Sequence, residues 1–241
     1  RRRHTRSLCD WSSDVCSSDL GLPLLASGVS AALPRELEGQ LGKAALAELD
    51  RDLLRPSRLS PERQRRLQTL LEKVQPLPPS PRRLELVVRE SPQLGANALC
   101  LPGGVLVVTD GLVQLASEDE LLAVLAHEAG HDQHRHPLQM LVRGQALGVV
   151  IGLMGETGRP LRGLGQAMVT TAYSRGFEHE ADRAAVATLQ RWNRPPEAFI
   201  AILDKLERER GHQAIPTLLL THPSTRDRQA RARAGARSLP P

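Results

Sequence analysis

His127-Glu128-Ala129-Gly130-His131 lies at the end of an apolar run, Leu121-Leu122-Ala123-Val124-Leu125-Ala126. On a helix, His127 and His131 stand one turn apart on one face. Two imidazoles so placed can hold one divalent ion, zinc above all, from the same side. Glu128 points toward the neighbouring space, where a water polarised by that ion would sit and a carboxylate could take its proton. The bare motif also fits a helix with two surface histidines. An apolar helix argues against that reading, because an unpaired Glu there would be costly.

A second acidic constellation follows about fifty residues downstream. In Ser174-Arg175-Gly176-Phe177-Glu178-His179-Glu180-Ala181-Asp182 a helix puts Glu178 and Asp182 one turn apart on one face. Zinc on two histidines needs a third protein ligand, and Glu is a standard one. Glu178 is expected to supply it. Asp182 is expected to orient a ligand imidazole by accepting its other N–H. Glu180 points elsewhere and is read as solvated. His222, before Pro223, reads either as a surface residue at a helix start or as a residue at a cleft rim. In the second case it would bond an oxyanion or touch the metal. His134 and His136 read as cations closing a helix C-terminus, with Pro137 stopping the helix.

The elements that must position these residues are legible in order. Pro34 to Leu54 reads as an amphipathic helix with Leu37, Leu41, Ala45, Leu49 and Leu53 on one face. Ser60-Pro61-Glu62 starts another, running to about Val74. The Pro-rich stretch from Pro76 to Pro81 is a stiff connector. Arg83 to Arg89 alternates as a strand, with Leu84, Leu86 and Val88 on one face. Residues 96–101 and 105–109 form two extended segments reversed at Pro102-Gly103-Gly104. Asp110-Gly111 turns the chain toward the histidine helix, whose start carries a capping box of Ser117 and Glu120. Leu138 to Met154 continues as an apolar helix, Gly155 to Gly165 is a loose connection, and Glu197 to Arg210 is a further helix.

Composition bounds the rest. The chain has 241 residues, 40% of them hydrophobic and only 2% aromatic, so its core must be Leu, Val and Ala. The basic balance, +5, is mostly a property of the segment from Thr225 to Pro241, where five Arg face one Asp. That segment reads as a solvated helix and frayed tail. With no aromatic residues interleaved, it gives no support to nucleic-acid binding. The first twenty residues lack periodicity and resemble translated adapter sequence, so residues 1–20 are read as non-native; the rival is a secreted loop with a Cys9–Cys16 disulfide. Leu20 to Leu33 is too short for a membrane span, and the true N-terminus is expected to lie outside the chain.

Together, several ordered motifs resemble the HtpX and CAAX-prenyl-protease type of zinc peptidase (metallopeptidase family forty-eight), including its BepA-like envelope members. The carriers are Asn97 through Gly104, Asp119 through His131, His136, Ser174-Arg175 with Glu178 to Asp182, and Thr221-His222-Pro223 with Arg228. The likeness covers roughly residues 84–235. It implies a gluzincin with one zinc ion on His127, His131 and Glu178, and Glu128 as catalytic base. It also implies that Leu101, Pro102, Gly103 and Gly104 line the cleft as a substrate-binding strand edge, and that His222 is a regulatory or catalytic fourth contact.

The expected fold is α+β, predominantly helical and zincin-like, with a small sheet at the active-site edge. Residues 83–241 would form the peptidase domain, and residues 21–82 a linker and helices packed on it. The expected activity is zinc-dependent endopeptidase cleavage of misfolded or envelope proteins. A missing N-terminal segment would associate the chain with the bacterial envelope, membrane-associated or periplasmic. The alternative is a non-catalytic binding or chaperone-like module with a structural zinc site.

Overall fold

A computed structural model of the protein describes residues 30–76, 83–143 and 163–210, together with Gly28, His222, Arg228, Ala230 and Arg233. The described elements are α1 (Arg35–Asp52), β1 (Arg55–Pro56), α2 (Pro61–Val74), β2 (Glu85–Glu90), β3 (Ala98–Leu101), β4 (Val105–Thr109), α3 (Asp110–Leu115), α4 (Glu118–Gln133), α5 (His136–Arg143), α6 (Leu164–Thr170), α7 (Arg175–Arg191) and α8 (Glu197–Arg210). The architecture is predominantly helical α+β around one small mixed sheet, as the sequence pattern implied.

The sheet has the order β1-β2-β4-β3. β3 and β4 form the expected antiparallel hairpin, with Leu101 opposite Val105. β2 runs parallel to β4. Both faces of the sheet are covered, which is why β4 reads as a continuous apolar run rather than an alternating one. Leu106 and Val108 face one core with Leu84, Ala98 and Cys100, packed against α2, α4, α7 and α8. Val105 and Val107 face a second core with Leu99 and Leu101, packed against α1, α5 and α6. At about 1.5–3 kcal/mol for each large aliphatic side chain removed from water, the first layer holds α4 against the sheet and the second holds α1, α5 and α6 on the opposite face.

α4 is the central helix, buried almost all round from Glu120 to Asp132. Its capping box is complete: Ser117 Oγ accepts from Glu120 N at 3.4 Å, and Ser117 N donates to Glu120 Oε2 at 2.7 Å. Lys205 of α8 donates to the same carboxylate at 2.6 Å. α7 crosses α4 at Gly130. A Cβ there would lie 2.9 Å from both Ala181 Cα and Ala184 Cβ, so glycine permits the close approach.

Several expectations change in detail. Leu37 of α1 and Leu53, just past its end, are less buried than Leu41, Ala45 and Leu49; Glu38 and Gly42 share the buried face instead. Glu38 is paired with Arg135 at 2.9 Å, and the hairpin tip sits on Gly42, where an added Cβ would meet Pro102 O. Pro137 does not stop a helix. α4 ends at Gln133, Arg135 takes a left-handed conformation (φ 55), and Pro137 stands in the first turn of α5, where a missing N–H costs nothing. The connector at residues 77–82, the continuation past Arg143, most of the Gly155–Gly165 connection and residues 1–27 lie outside the described residues. Gly163, at the end of that connection, is the left-handed N-cap of α6. No described helix is long and apolar enough to cross a membrane.

Candidate metal centre

Three elements converge beside the sheet: α4 brings His127, Glu128 and His131, α7 brings Glu178 and Asp182, and the C-terminal segment brings His222 and Arg228. All seven are buried. One donor atom from each of His127, His131, Glu178 and His222 lies within 4.8 Å of every other. His127 Nε2 is 3.1 Å from His131 Nε2 and 3.3 Å from His222 Nδ1. Glu178 Oε1 is 2.9 Å from His222 Nδ1 and 3.5 Å from His131 Nε2, and Glu178 Oε2 is 3.7 Å from His127 Nε2.

Proton placement decides what this cluster is. His127 Nδ1 lies 3.1 Å from Asp182 Oδ1, within ion-pair reach but off the line of a hydrogen bond; a neutral His127 with its proton on the carboxylate side turns a bare Nε2 lone pair inward. His136 Nε2 lies 2.8 Å from Glu180 Oε2, which places its proton on Nε2 and leaves Nδ1 as an acceptor. His131 Nδ1, 3.0 Å from His136 Nδ1, is then the donor, and His131 Nε2 is bare as well. Two bare nitrogens 3.1 Å apart repel unless a cation lies between them. For a tetrahedral ion with bonds of about 2.0–2.1 Å, the donors stand about 3.3–3.4 Å apart; the observed separations scatter around that figure. Charge agrees. The buried carboxylates of Glu128, Glu178 and Asp182 face one guanidinium, and a dication balances the two negative charges left over. The residues therefore fit a divalent ion such as zinc.

Electrostatics within the cluster follow from burial and from its charges. Burial holds His131 well below the ordinary histidine value, against the pull of Glu178. Burial would also lower His222, but the negative charges of Glu178 and Glu128 outweigh it and raise its pKa. Glu178 is depressed well below the usual carboxylate range, because His222 and His131 outweigh its burial. Asp182 is lowered by His127 and Arg228 despite burial.

The positions proposed from spacing are thus brought together: His127, His131, Glu178 and His222 around one point, Asp182 behind His127. Both oxygens of Glu128 are buried without a hydrogen-bond partner among the described residues. Glu128 Oε1 lies 3.5 Å from His222 Nε2. A recess of about 20 Å³, room for about one water, adjoins Glu128 and His222 and is walled by Phe199, Ile202 and Leu203 of α8. A larger one of about 400 Å³ lies on the other side of α4 and contains none of the donor side chains. β3 is one of the two edge strands and packs beside α4. Leu101 and Pro102 are buried, and Gly103 presses on Gly39 of α1, so the hairpin tip is engaged by that helix.

Three residues turn out differently from their sequence readings. Arg228 is not part of a solvated tail: it is 3% exposed, clamps Asp182 through Nε at 2.9 Å and Nη2 at 2.6 Å, and reaches Glu178 Oε2 with Nη1 at 2.7 Å. His136 does not close α4 as a surface cation, and Glu180 is not merely solvated; the two are bonded to each other behind His131. Tyr173, the single tyrosine of the chain, stacks on His131 with centroids 4.0 Å apart. The signal available in the sequence was that His136 and Arg228 fall inside the ordered motifs, although nothing in their spacing gave them a partner.

Residues 60–236 match the model of Peptidase family M48. The chain is 32% identical over 164 residues to the beta-barrel assembly-enhancing protease of Escherichia coli (strain K12), covering 60% of this chain and 33% of that protein. It is 27% identical over 192 residues to the protease HtpX homolog of Ralstonia pickettii, covering 62% and 66%. It is 28% identical over 141 residues to the mitochondrial metalloendopeptidase OMA1 of Schizosaccharomyces pombe, covering 55% and 41%. The chain spans about a third of the length of the beta-barrel assembly-enhancing proteases it matches.

Proposed function

Because the chain belongs to Peptidase family M48, we propose that it is a zinc-dependent endopeptidase whose ion is held by His127, His131 and Glu178. The observation that carries this reading is the pair of imidazole nitrogens facing each other at 3.1 Å, bare in the tautomers favoured by Asp182 and by the His136–Glu180 pair, with a buried carboxylate beside them that has no protein donor among the described residues. When bound, zinc supplies a Lewis acid that polarises the scissile carbonyl and makes a water acidic near pH ~7.

The remaining steps belong to the chain's own residues. Glu128 takes a proton from the attacking water and returns it to the leaving amine. Its burial keeps the transfer away from bulk solvent. Asp182 fixes His127 in the tautomer whose Nε2 is free to ligate, and Arg228 keeps Asp182 ionised and oriented. His222 stands as a fourth donor in this arrangement and can either close the site or, when displaced from Glu178, contact the carbonyl oxygen. Leu101 to Gly104 belong to the hairpin that includes edge strand β3, and a peptide added to β3 would pair with backbone rather than with side chains.

Polypeptides are the proposed substrates. The name of the E. coli relative ties that protein to beta-barrel assembly, which supports a bacterial envelope setting here, membrane-associated or periplasmic. The structural-zinc alternative is not favoured: its relatives are named proteases, and structural sites have no use for an uncommitted buried Glu128. The test is metal removal and return. The chain stripped by chelator should lose cleavage of fluorescently quenched casein and regain it with one equivalent of zinc. A chain that takes up one zinc and stays inert, with His222→Phe inert as well, refutes the reading.

A further inference from the structure

Outside the four donors, the described residues contain a second histidine cluster that the mechanism above leaves unused. It comprises His134, His136 and Glu180. His136 is fully buried although its neighbour His134 is exposed. Arg135 explains how. Its left-handed backbone (φ 55) reverses the chain just past α4, and its side chain is tied to Glu38 and to Leu33 O. A non-glycine residue is disfavoured in that region, and here it returns His136 beneath His131. Phe177 of α7 stacks on the His136 ring at 3.9 Å and 14°, which fixes the plane of the imidazole. The Arg143 guanidinium lies 4.5 Å over the other ring of that stack, Phe177.

We infer that His136 and Glu180 are positioning residues for the metal ligand His131, forming a carboxylate–imidazole–imidazole chain that holds its Nε2 lone pair toward the ion. The inference rests on the reading of His131 as a zinc ligand. Glu180 Oε2 accepts from His136 Nε2–H at 2.8 Å, and His136 Nδ1 accepts from His131 Nδ1–H at 3.0 Å. Each proton has one place to be, so the far carboxylate sets the tautomer of the ligand two rings away. The two ligand histidines are thus oriented by different devices. His127 leans directly on Asp182, whose charge Arg228 neutralises in the interior. His131 leans on a neutral imidazole, and the charge behind it is kept at the surface, where the Glu180 side chain is 37% exposed. This arrangement avoids burying a second uncompensated carboxylate next to Glu178 and Glu128.

Two substitutions of similar size separate this role from simple core filling. In Asn the side-chain oxygen falls near the place of Nδ1, so His136→Asn keeps an acceptor for His131 Nδ1–H and gives up Glu180. In Gln the amide falls near Nε2, so His136→Gln keeps Glu180 and gives up His131. Zinc affinity of the whole chain is measured by competition with a chromophoric chelator, with metal-free thermal stability as the folding control. His136→Gln should weaken zinc binding roughly 10–100-fold, His136→Asn within about 3-fold of wild type. Glu180→Leu should weaken it measurably but less than His136→Gln does, and unchanged affinity in Glu180→Leu overturns the role given to Glu180. Long-range ¹H–¹⁵N spectra should show His131 protonated at Nδ1 in wild type and in His136→Asn. Equal losses in Asn and Gln, no loss in either, or a His131 protonated at Nε2 in the metal-loaded wild type overturns the inference. A chain with this graded zinc affinity that cleaves nothing leaves the positioning role standing and removes the endopeptidase reading; a chain that binds no zinc removes both.

Discussion

Replacing Arg228 by Met tests the electrostatic frame of the site while leaving every proposed metal donor in place. The guanidinium is 3% exposed and makes three short contacts, two to Asp182 and one to Glu178. Methionine fills much of the same volume, so the change removes charge more than packing. Breaking a buried ion pair from one side costs about 3–5 kcal/mol, because the partner stays behind uncompensated. Two carboxylates are left here, so the metal-free protein should lose stability near the upper end of that range. Bound zinc neutralises part of the excess charge, so the loss should be smaller in the loaded protein. The assay is urea unfolding, in chelator and in excess zinc, beside Arg233→Met, an exposed arginine of the same segment. Arg233→Met should lie within about 0.5 kcal/mol of wild type. The pH dependence has a definite sign. Asp182 is depressed below the ordinary 3.8, so its contribution is complete above that value and is lost as pH falls through the folded pKa. Arg228→Met should flatten this acid limb. A metal-free loss under about 1 kcal/mol, or a loss equal to that of Arg233→Met, would refute the reasoning.

Three further outcomes are expected. Glu178→Ala should weaken zinc binding by at least tenfold in chelator competition; unchanged affinity would move the third ligand elsewhere. Gly130→Val should force α4 and α7 apart where Ala181 and Ala184 allow no Cβ, costing about 1–3 kcal/mol in urea unfolding and separating Glu178 from the histidines, so that zinc affinity falls too. Glu120→Gln keeps the capping geometry at Ser117 but loses the charge paired with Lys205. Burial would raise the Glu120 pKa, yet Lys205 and Ser117 bring it below the ordinary 4.5. Wild type should therefore hold an advantage of about 1–2 kcal/mol at neutral pH that shrinks as pH falls through that carboxylate, and equal stability of the two proteins at pH 7 would contradict this.

The parts of the site legible in the sequence were those set by periodicity within one element. His127 and His131 share a helix face, as do Glu178 and Asp182, and the capping box of Ser117 and Glu120 marks where that first helix begins. The hairpin announced itself through Pro102-Gly103-Gly104 between two apolar runs. What stayed hidden depends on contacts between elements. Arg228 sits among several arginines that look alike until one of them is found against two buried carboxylates. His136 could be placed only by knowing that Arg135 adopts a left-handed turn, a conformation its side chain does not favour. Glu180 lies off the Glu178–Asp182 face, so helical spacing assigned it to solvent; the chain reversal brings His136 to meet it. Pro137 reads as a stop from one side and as a start from the other, and only the turn before it decides. The Leu101–Gly104 tip, expected at the cleft, has Gly42 and Gly39 of α1 beneath it, a fit that two glycines in a helix permit but do not advertise.

The most direct test of the account is cleavage of quenched casein by the zinc-loaded chain against Glu128→Gln carrying the same measured zinc. Glutamine keeps the shape of Glu128 and cannot take the proton, so the variant should bind zinc as wild type does and turn over at least about 10²-fold more slowly. A variant that cleaves at the wild-type rate with equal zinc would contradict the central claim that Glu128 and the neighbouring metal centre perform the hydrolysis.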